Sequence, residues 1–256
     1  MGGDGAGTIG HNGDVAQNTF VGPVAEGYDR GAPEMYEPSL LEATSAFLAD
    51  AARGGRALEF AIGTGRVALP LSARGVEVCG IDISADMIEQ LRRKAGSDAI
   101  ATVVGDFALA TMPGEFSLVY LVYNGIANLL EQSEQVQTFA NAARHLGPGG
   151  RFVIELWVPD LRRFPPGALA VPFDVSPTHV GFDTLDTASQ RGVSHHYFVV
   201  GGQAGQLDSH FRYVWPAELD LMAQMAGMAL SERWADWDRS PFTSSSPRHI
   251  SVWERP

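Results

Sequence analysis

The sequence predicts an α/β fold in which a doubly wound, mostly parallel sheet carries helices on both faces. Three observations predict it. Apolar runs of strand length alternate with segments of helical period along most of the chain. The run over residues 116–123 is so continuously apolar that it must be covered on both faces. The first apolar run ends in the turn Gly63-Thr64-Gly65, which opens a helix.

Taken in order, residues 38–52 carry Leu41, Ser45, Leu48 and Ala52 at helical spacing, and Arg53-Gly54-Gly55 closes that helix. The first strand follows and ends at Ile62, with a helix over 66–74. Residues 76–83 form the second strand, with Asp82 near its carboxyl end. A helix over 85–94, a short strand over 101–104, the strand over 116–123 and a helix over 133–145 come next. Gly147-Pro148-Gly149-Gly150 stops that helix before the strand over 152–158. At Pro159 the texture changes, because Pro165, Pro166, Pro172 and Pro177 interrupt any helix. Residues 193–200 and 207–214 read as two strands joined across Gly201-Gly202 and Gly205, a hairpin-rich insertion. A helix over 216–225 and strands at 230–234 and 249–253 return the chain to the core. The expected organisation is a disordered tail over 1–18, a cofactor-binding core with N-terminal helices over 19–158, the insertion over 159–214, and closing elements over 215–256.

A chain of 256 residues, 45% of them hydrophobic, buries one substantial core. Eighteen Lys and Arg against thirty Asp and Glu give a net charge of −12, which repels a phosphate backbone and excludes nucleic acid as the expected partner. No apolar run approaches the roughly 20 residues that span a bilayer. Residues 1–18 are polar and glycine-rich with no apolar signal core, so a cytoplasmic protein without a membrane partner is expected. Cys79 is the only cysteine and reads as a small core residue. The oligomeric state is left open.

The chemistry starts at Gly63, Gly65 and Ala68, a G-x-G-x-x-A pattern in which glycines let the backbone approach a ligand that the helix N-terminus then attracts. By itself this pattern does not tell one adenosine-bearing cofactor from another. Four further features do. Glu59 lies four residues ahead of Gly63, and Asp82 ends the second strand, where a carboxylate can accept both hydroxyls of a ribose. Gly105-Asp106-Phe107 follows the next strand, and the segment 146–155 is a helix stop feeding a strand.

The order of these motifs from Arg56 to Trp157 resembles that of the class I S-adenosylmethionine-dependent methyltransferases, and the likeness extends more loosely from Tyr28 to the C-terminus. It is nearest in character to the small-molecule methyltransferases of bacterial secondary metabolism. The resemblance implies a Rossmann-like, seven-stranded sheet with an antiparallel last strand, the insertion acting as a lid, and S-adenosylmethionine as cofactor. Carried over position by position, it implies that Gly63 and Gly65 lie against the methionine portion, with Glu59, Ala61 and Ile83 in the same pocket. Asp82 would take the ribose and Met87 would pack on the adenine. Asp106 and Phe107 would frame the other adenine edge, while Tyr123 and Asn124 line the pocket beyond the fourth strand. Tyr28 and Tyr36 would fold over the methionine end. Arg66 departs from the family pattern, in which a small or polar residue commonly follows the second glycine.

The implied reaction is methyl transfer to an oxygen or nitrogen of a small-molecule acceptor. The donor is already activated, so alignment carries most of the catalysis, an effect worth up to ~7–11 kcal/mol. An NAD-dependent oxidoreductase is the first alternative, but Gly105-Asp106-Phe107 has no role there and the chain offers no Tyr-x-x-x-Lys pair, Lys94 being its only lysine. A non-catalytic cofactor-binding protein is the second. For a general base the insertion offers His195 and His196, which strand alternation sends to opposite faces, so only one can look into a pocket and the two cannot share a metal ion. No metal site is expected.

Overall fold

Every position of β1 (Ala57–Phe60) and β2 (Val78–Asp82) is buried, as is all of β4 (Phe116–Leu121) except the half-buried Ser117. Strands of this kind need cover on both faces. The computed structural model, which describes residues 20–256, provides it. The tail expected over residues 1–18 lies outside the described residues. Seven strands lie in the order β10 (Ala229–Trp234), β11 (Arg248–Glu254), β5 (Leu146–Trp157), β4, β1, β2 and β3 (Ala101–Val104). The strands from β3 to β5 are mutually parallel, and β11 runs antiparallel to both β5 and β10. This is the sheet with an antiparallel last strand that the resemblance implied.

Alternation along each strand divides the core in two. On one face α2 (Pro38–Ala52), α3 (Ala68–Ala73) and α4 (Ala85–Arg92) bring Phe47, Leu48, Leu71 and Leu91 onto Leu118, Tyr120, Val153 and Val252. On the other, α5 (Gln132–His145) and α6 (Pro216–Met225) bring Phe139, Leu219 and Met222 onto Leu58, Phe60, Val119, Phe152 and Trp253. Termini are satisfied locally: Ser84 accepts from the N–H of Met87 at the start of α4, and Glu131 and Glu134 form a reciprocal capping box on α5. Ahead of α2, α1 (Pro23–Gly31) and a 3-10 turn at Pro33–Tyr36 lie over the carboxyl end of the sheet.

Between β5 and α6 the chain leaves this sheet to form a second, antiparallel one of four strands in sequence order: β6 (Val171–Val175), β7 (His179–Asp186), β8 (Arg191–Val200) and β9 (Gln203–Arg212). Two strands were expected and four are present. Pro172 falls in β6, an edge strand, where a missing donor on the outer side breaks no ladder. The β8–β9 turn is Gly201-Gly202 alone, at φ 60° and 80°, the left-handed geometry of a two-residue hairpin. Gly205 is therefore a strand residue, paired with Phe198, whose ring lies 2.3 Å from where a Cβ would stand. β5 also begins six residues before the expected strand at Phe152, because Leu146 pairs with Phe116 and Gly150 accepts from Arg255.

The two sheets are clamped by a buried polar cluster. The Arg212 guanidinium, 4% exposed, donates to Gln135 Oε1 at 2.5 Å, Gln190 Oε1 at 2.9 Å and Glu218 Oε1 at 2.9 Å. Glu218 also accepts from Gln132 and Gln190.

Candidate active site

The turn from β1 to α3 holds Ala61 at φ 53°, Gly63 at φ 55° and Gly65 at φ 78°. Left-handed backbone costs a residue with a Cβ about 1–2 kcal/mol, so Ala61 is strained and the two glycines are not. The glycines do different work. A Cβ on Gly65 would stand 2.3 Å from Leu91 Cδ1, so Gly65 lets α3 and α4 approach and does not line the cavity beside the turn. Gly63 does line it, with Met87 Cε 3.3 Å from its missing Cβ.

That cavity, of about 130 Å³, opens at the carboxyl ends of β1 and β2. Of the residues singled out for a cofactor, Tyr28, Glu59, Ala61, Gly63, Asp82, Ile83, Met87, Asp106, Phe107 and Tyr123 line it, whereas Tyr36, Gly65 and Asn124 do not. Asp82 is 6% exposed and accepts from the backbone N–H of Gly63 at 2.7 Å and of Ser84 at 2.8 Å. Burial raises its pKa despite these two donors. A carboxylate has about four acceptor positions, so Asp82 keeps capacity for a ligand's hydroxyls. Glu59 is 3% exposed, and burial pushes it up to about 8, partly offset by a hydrogen bond from Tyr120 Oη at 2.9 Å and by Arg66. Asp106 uses one oxygen to accept from the N–H of Ala108 at 2.8 Å.

The chain before β1 closes this cavity. Phe20 and Tyr28 line it and meet edge to face, ring centroids 5.7 Å apart. Burial, reinforced by Tyr123, pushes the Tyr28 phenol up to about 12, so it is a hydrogen-bonding alcohol at neutral pH. Tyr36 stands one layer back. It donates to Asp29, which also accepts from Thr64 Oγ1 at 2.6 Å and pairs with Lys94. Lys94 in turn donates to the carbonyl of Thr64 at 2.8 Å. Asp29 thus ties α1 to the glycine turn. No local pattern marks it, since its partners lie 35 residues and more away in sequence except for Tyr36. Arg66, the departure from the family pattern, lies over the Tyr123 ring at 5.3 Å and donates to the Met35 carbonyl at 3.3 Å.

A second cavity of about 550 Å³ lies between the carboxyl ends of β4 and β5 and the four-stranded sheet. Tyr123 and Asn128 line both cavities, so the two adjoin there. Tyr123 and Asn124 hold left-handed φ of 54° and 60°, fixed by Glu155, which accepts from the N–H of Tyr123 at 2.9 Å, and by Asn124 Oδ1, which accepts from the N–H of Trp157 at 2.9 Å. Strain so over-determined is characteristic of functional turns. Asn124, expected in the cofactor pocket, lines this cavity instead, because its side chain turns toward β5.

The charged lining of the larger cavity is Asp160, Asp183 and Arg163, and Arg163 is paired with Asp183. Asp183 also accepts from Ser194 Oγ at 2.6 Å. His196 lines this cavity. His195 faces away, with Nδ1 2.9 Å from Asp208 Oδ1, Nε2 3.1 Å from Thr184 Oγ1 and its ring stacked on Phe182. Sequence reading missed Asp183, Arg163 and the partner of His196, which is His179, at 3.0 Å between ring nitrogens. The antiparallel register could have revealed the last: Gly181 pairs with His196, so His179, two residues away, shares its face.

A family model described as a methyltransferase domain matches residues 57–150. Among solved structures, the CcbJ methyltransferase from Streptomyces caelestis is similar at 33% identity, with a TM-score of 0.80 over 91% of this chain and 96% of that one. The cypemycin N-terminal methyltransferase of a Streptomyces species is 27% identical over 207 residues, 79% of this chain and 84% of the relative. The dTDP-3-amino-3,6-dideoxy-alpha-D-glucopyranose N,N-dimethyltransferase of Streptomyces fradiae is 27% identical over 197 residues, 74% and 75% of the two chains.

Proposed function

Because the chain belongs to the S-adenosylmethionine-dependent methyltransferases, we propose that it methylates the amine nitrogen of a small, cationic acceptor held in the larger cavity. Family membership displaces the two alternatives, the nicotinamide-dependent oxidoreductase and the non-catalytic binding protein. The chain is an enzyme whose methyl donor is S-adenosylmethionine.

The observation that carries the choice of an amine is the charge of the acceptor cavity. Asp160 and Asp183 face it against one cation, Arg163, which pairs with Asp183, while Asp160 accepts from Arg162 outside the lining, so the lining carries a net charge of −1. Such a lining attracts an ammonium and repels an anionic acceptor. The activities for which the two relatives are named, an N-terminal and an N,N-dimethyl transfer, point the same way. We assign residues 159–214 to the acceptor side as its roof, residues 19–158 and 215–256 to the core, and the whole enzyme to the cytoplasm, with a net charge of −12 that disfavours nucleic acid.

The donor set of the smaller cavity fits the cofactor. Asp82 has acceptor capacity for a ribose diol, Met87 and Phe107 would offer apolar contact to a purine, Asp106 would meet its polar edge, and Glu59 and Tyr28 would hold the charged methionine end. The bound cofactor supplies a methyl group on a sulfonium, whose transfer forms the C–N bond and leaves a neutral thioether. The protein aligns the acceptor at the junction formed by Tyr123 and Asn128, excludes water with Phe20 and Tyr28, and removes one proton from the acceptor nitrogen. His196 is the candidate for that last step.

Asp82→Ala is expected to weaken cofactor affinity by about 1.5–3 kcal/mol, the scale of hydrogen bonds to a charged group, as read by calorimetry. Incubation with S-adenosylmethionine and a panel of small amines, phenols and carboxylic acids should give S-adenosylhomocysteine with the amines. A product methylated only on oxygen overturns the amine reading.

A further inference from the structure

We propose that Asp174, His179 and His196 form a hydrogen-bonded chain that fixes His196 with its Nε2 lone pair toward the acceptor cavity and carries the acceptor's proton toward solvent. The proposal rests on the reading of that cavity as the acceptor site. Its ground is geometric. His196 Nδ1 lies 3.0 Å from His179 Nε2, and His179 Nδ1 is hydrogen-bonded to Asp174 Oδ2. The two imidazoles are stacked, interplanar angle 15°, and Phe173 packs edge-on against His196. The three groups come from β6, β7 and β8, so no single element creates the chain.

The direction of the hydrogen bonds follows from what each atom can do. An ionised carboxylate only accepts, so His179 must carry a proton on Nδ1, and in the neutral ring that leaves its Nε2 as an acceptor. His196 then donates from Nδ1 to that nitrogen. Its own Nε2, which has no protein partner among the described residues, holds the free lone pair. The ordering is the same logic by which a carboxylate sets the tautomer of a catalytic imidazole.

Proton balance is simple. An acceptor that arrives as an ammonium gives one proton to His196 Nε2 and becomes the nucleophile. His196 passes its Nδ1 proton to His179 Nε2, and His179 releases its Nδ1 proton to Asp174 or to water beside it. The side chain of Asp174 is 44% exposed and that of His179 27%, so the far end of the chain is wet while the cavity end is sheltered. The titratable groups that face His196 are His179 and Asp183 from β7, Asp208 from β9 and its own neighbour His195. Burial first, and then His179, lower the pKa of His196, while the two carboxylates oppose them. These effects favour the neutral imidazole, the form that can accept a proton.

His196 is the catalytic residue in this scheme, and His179 and Asp174 are positioning residues. Asp174→Asn is the informative change, because its amide can offer an N–H to His179 Nδ1 where the carboxylate can only accept. That reverses the His179 tautomer, which reverses that of His196 and directs an N–H into the cavity. Two readouts test it on the full chain. In ¹⁵N-histidine spectra of the unliganded protein, His179 and His196 should both be Nδ1–H tautomers, and Asp174→Asn should convert both to Nε2–H. In turnover with an amine acceptor, Asp174→Asn and His196→Gln should each lower kcat by about 10²-fold or more with cofactor affinity unchanged, and Asp174→Glu should restore part of it. An Nε2–H tautomer at His196 in the wild type overturns the proposal whatever the acceptor proves to be. So does wild-type turnover in Asp174→Asn beside an inactive His196→Gln, which would leave His196 acting alone. Methylation of oxygen only, with both Nδ1–H tautomers present, counts against the amine reading of the cavity and not against the chain.

Discussion

Two glycines separated by a single residue illustrate how a motif divides its labour. Gly63 borders the cofactor cavity, whereas Gly65 admits Leu91. Gly65→Ala should therefore destabilise the fold by about 2–5 kcal/mol, the left-handed penalty plus overpacking against Leu91. Gly63→Ala should cost only the backbone penalty of about 1–2 kcal/mol, while its larger effect falls on cofactor affinity. Denaturant melts and calorimetry on both variants separate the two roles, and equal losses in both assays would refute the division. Glu59 makes a pH prediction. Burial raises it from its ordinary 4.5 to about 8, so the folded protein keeps a proton that the unfolded chain has released. Its contribution to stability is complete below pH 4.5 and is lost as pH rises through about 8. Asp82, also raised by burial, has the same sign, and His249, pushed down to about 3, has the opposite one, losing stability as pH falls below 6.5. Unliganded Glu59→Gln should show a flatter decline of Tm between pH 5 and 8 than the wild type; parallel curves would remove Glu59 from the account.

At the scale of elements, a buried guanidinium ties the second sheet to the core. Arg212 from β9 reaches α5 through Gln135 and α6 through Glu218. Replacing one partner of a buried ion pair leaves the other charge unpaired, which costs about 3–5 kcal/mol. Arg212→Met should show a loss of that size in denaturant melts, and the double change Arg212→Met with Glu218→Gln should recover part of it, since the stranded charge is gone. An additive double variant would mean that the pair does not couple the elements. α1 depends on a smaller device, the Asp29 carboxylate shared by Thr64, Tyr36 and Lys94, whose hydrogen bonds keep its pKa low in spite of burial.

For the molecule as a whole, the two cavities share only Tyr123 and Asn128 among their lining residues, and the residues of the smaller one come entirely from the core and the segment before it. Replacing residues 159–214 by a short linker should therefore abolish methyl transfer and leave cofactor binding largely intact. Mutation of Trp157, whose ring packs edge-on against Phe211 of β9, to a polar residue in the same variant would limit the harm from uncovering it. Equal loss of both activities would make the second sheet a structural support and not a roof.

Local sequence determined the architecture of the core and most of one pocket. A buried parallel strand demands unbroken apolar residues, a tight turn against a ligand demands glycine, and a carboxylate at a strand end is visible because strand ends are visible, so Gly63, Asp82 and Asp106 could be read from spacing. The second sheet was half legible: β8 and β9 alternate and turn at Gly201-Gly202, whereas β6 hides behind Pro172 because an edge strand tolerates what an inner one does not. Tertiary structure alone decided the rest. That Gly65 serves packing, that Asn124 turns to the acceptor side, that Asp29 locks α1 and that His196 meets His179 while His195 does not are all outcomes of register and of contacts between distant segments. The physical reason is that backbone preference and burial act within a few residues, whereas the partners of a polar side chain are chosen by whatever the folded chain brings within about 3 Å of it.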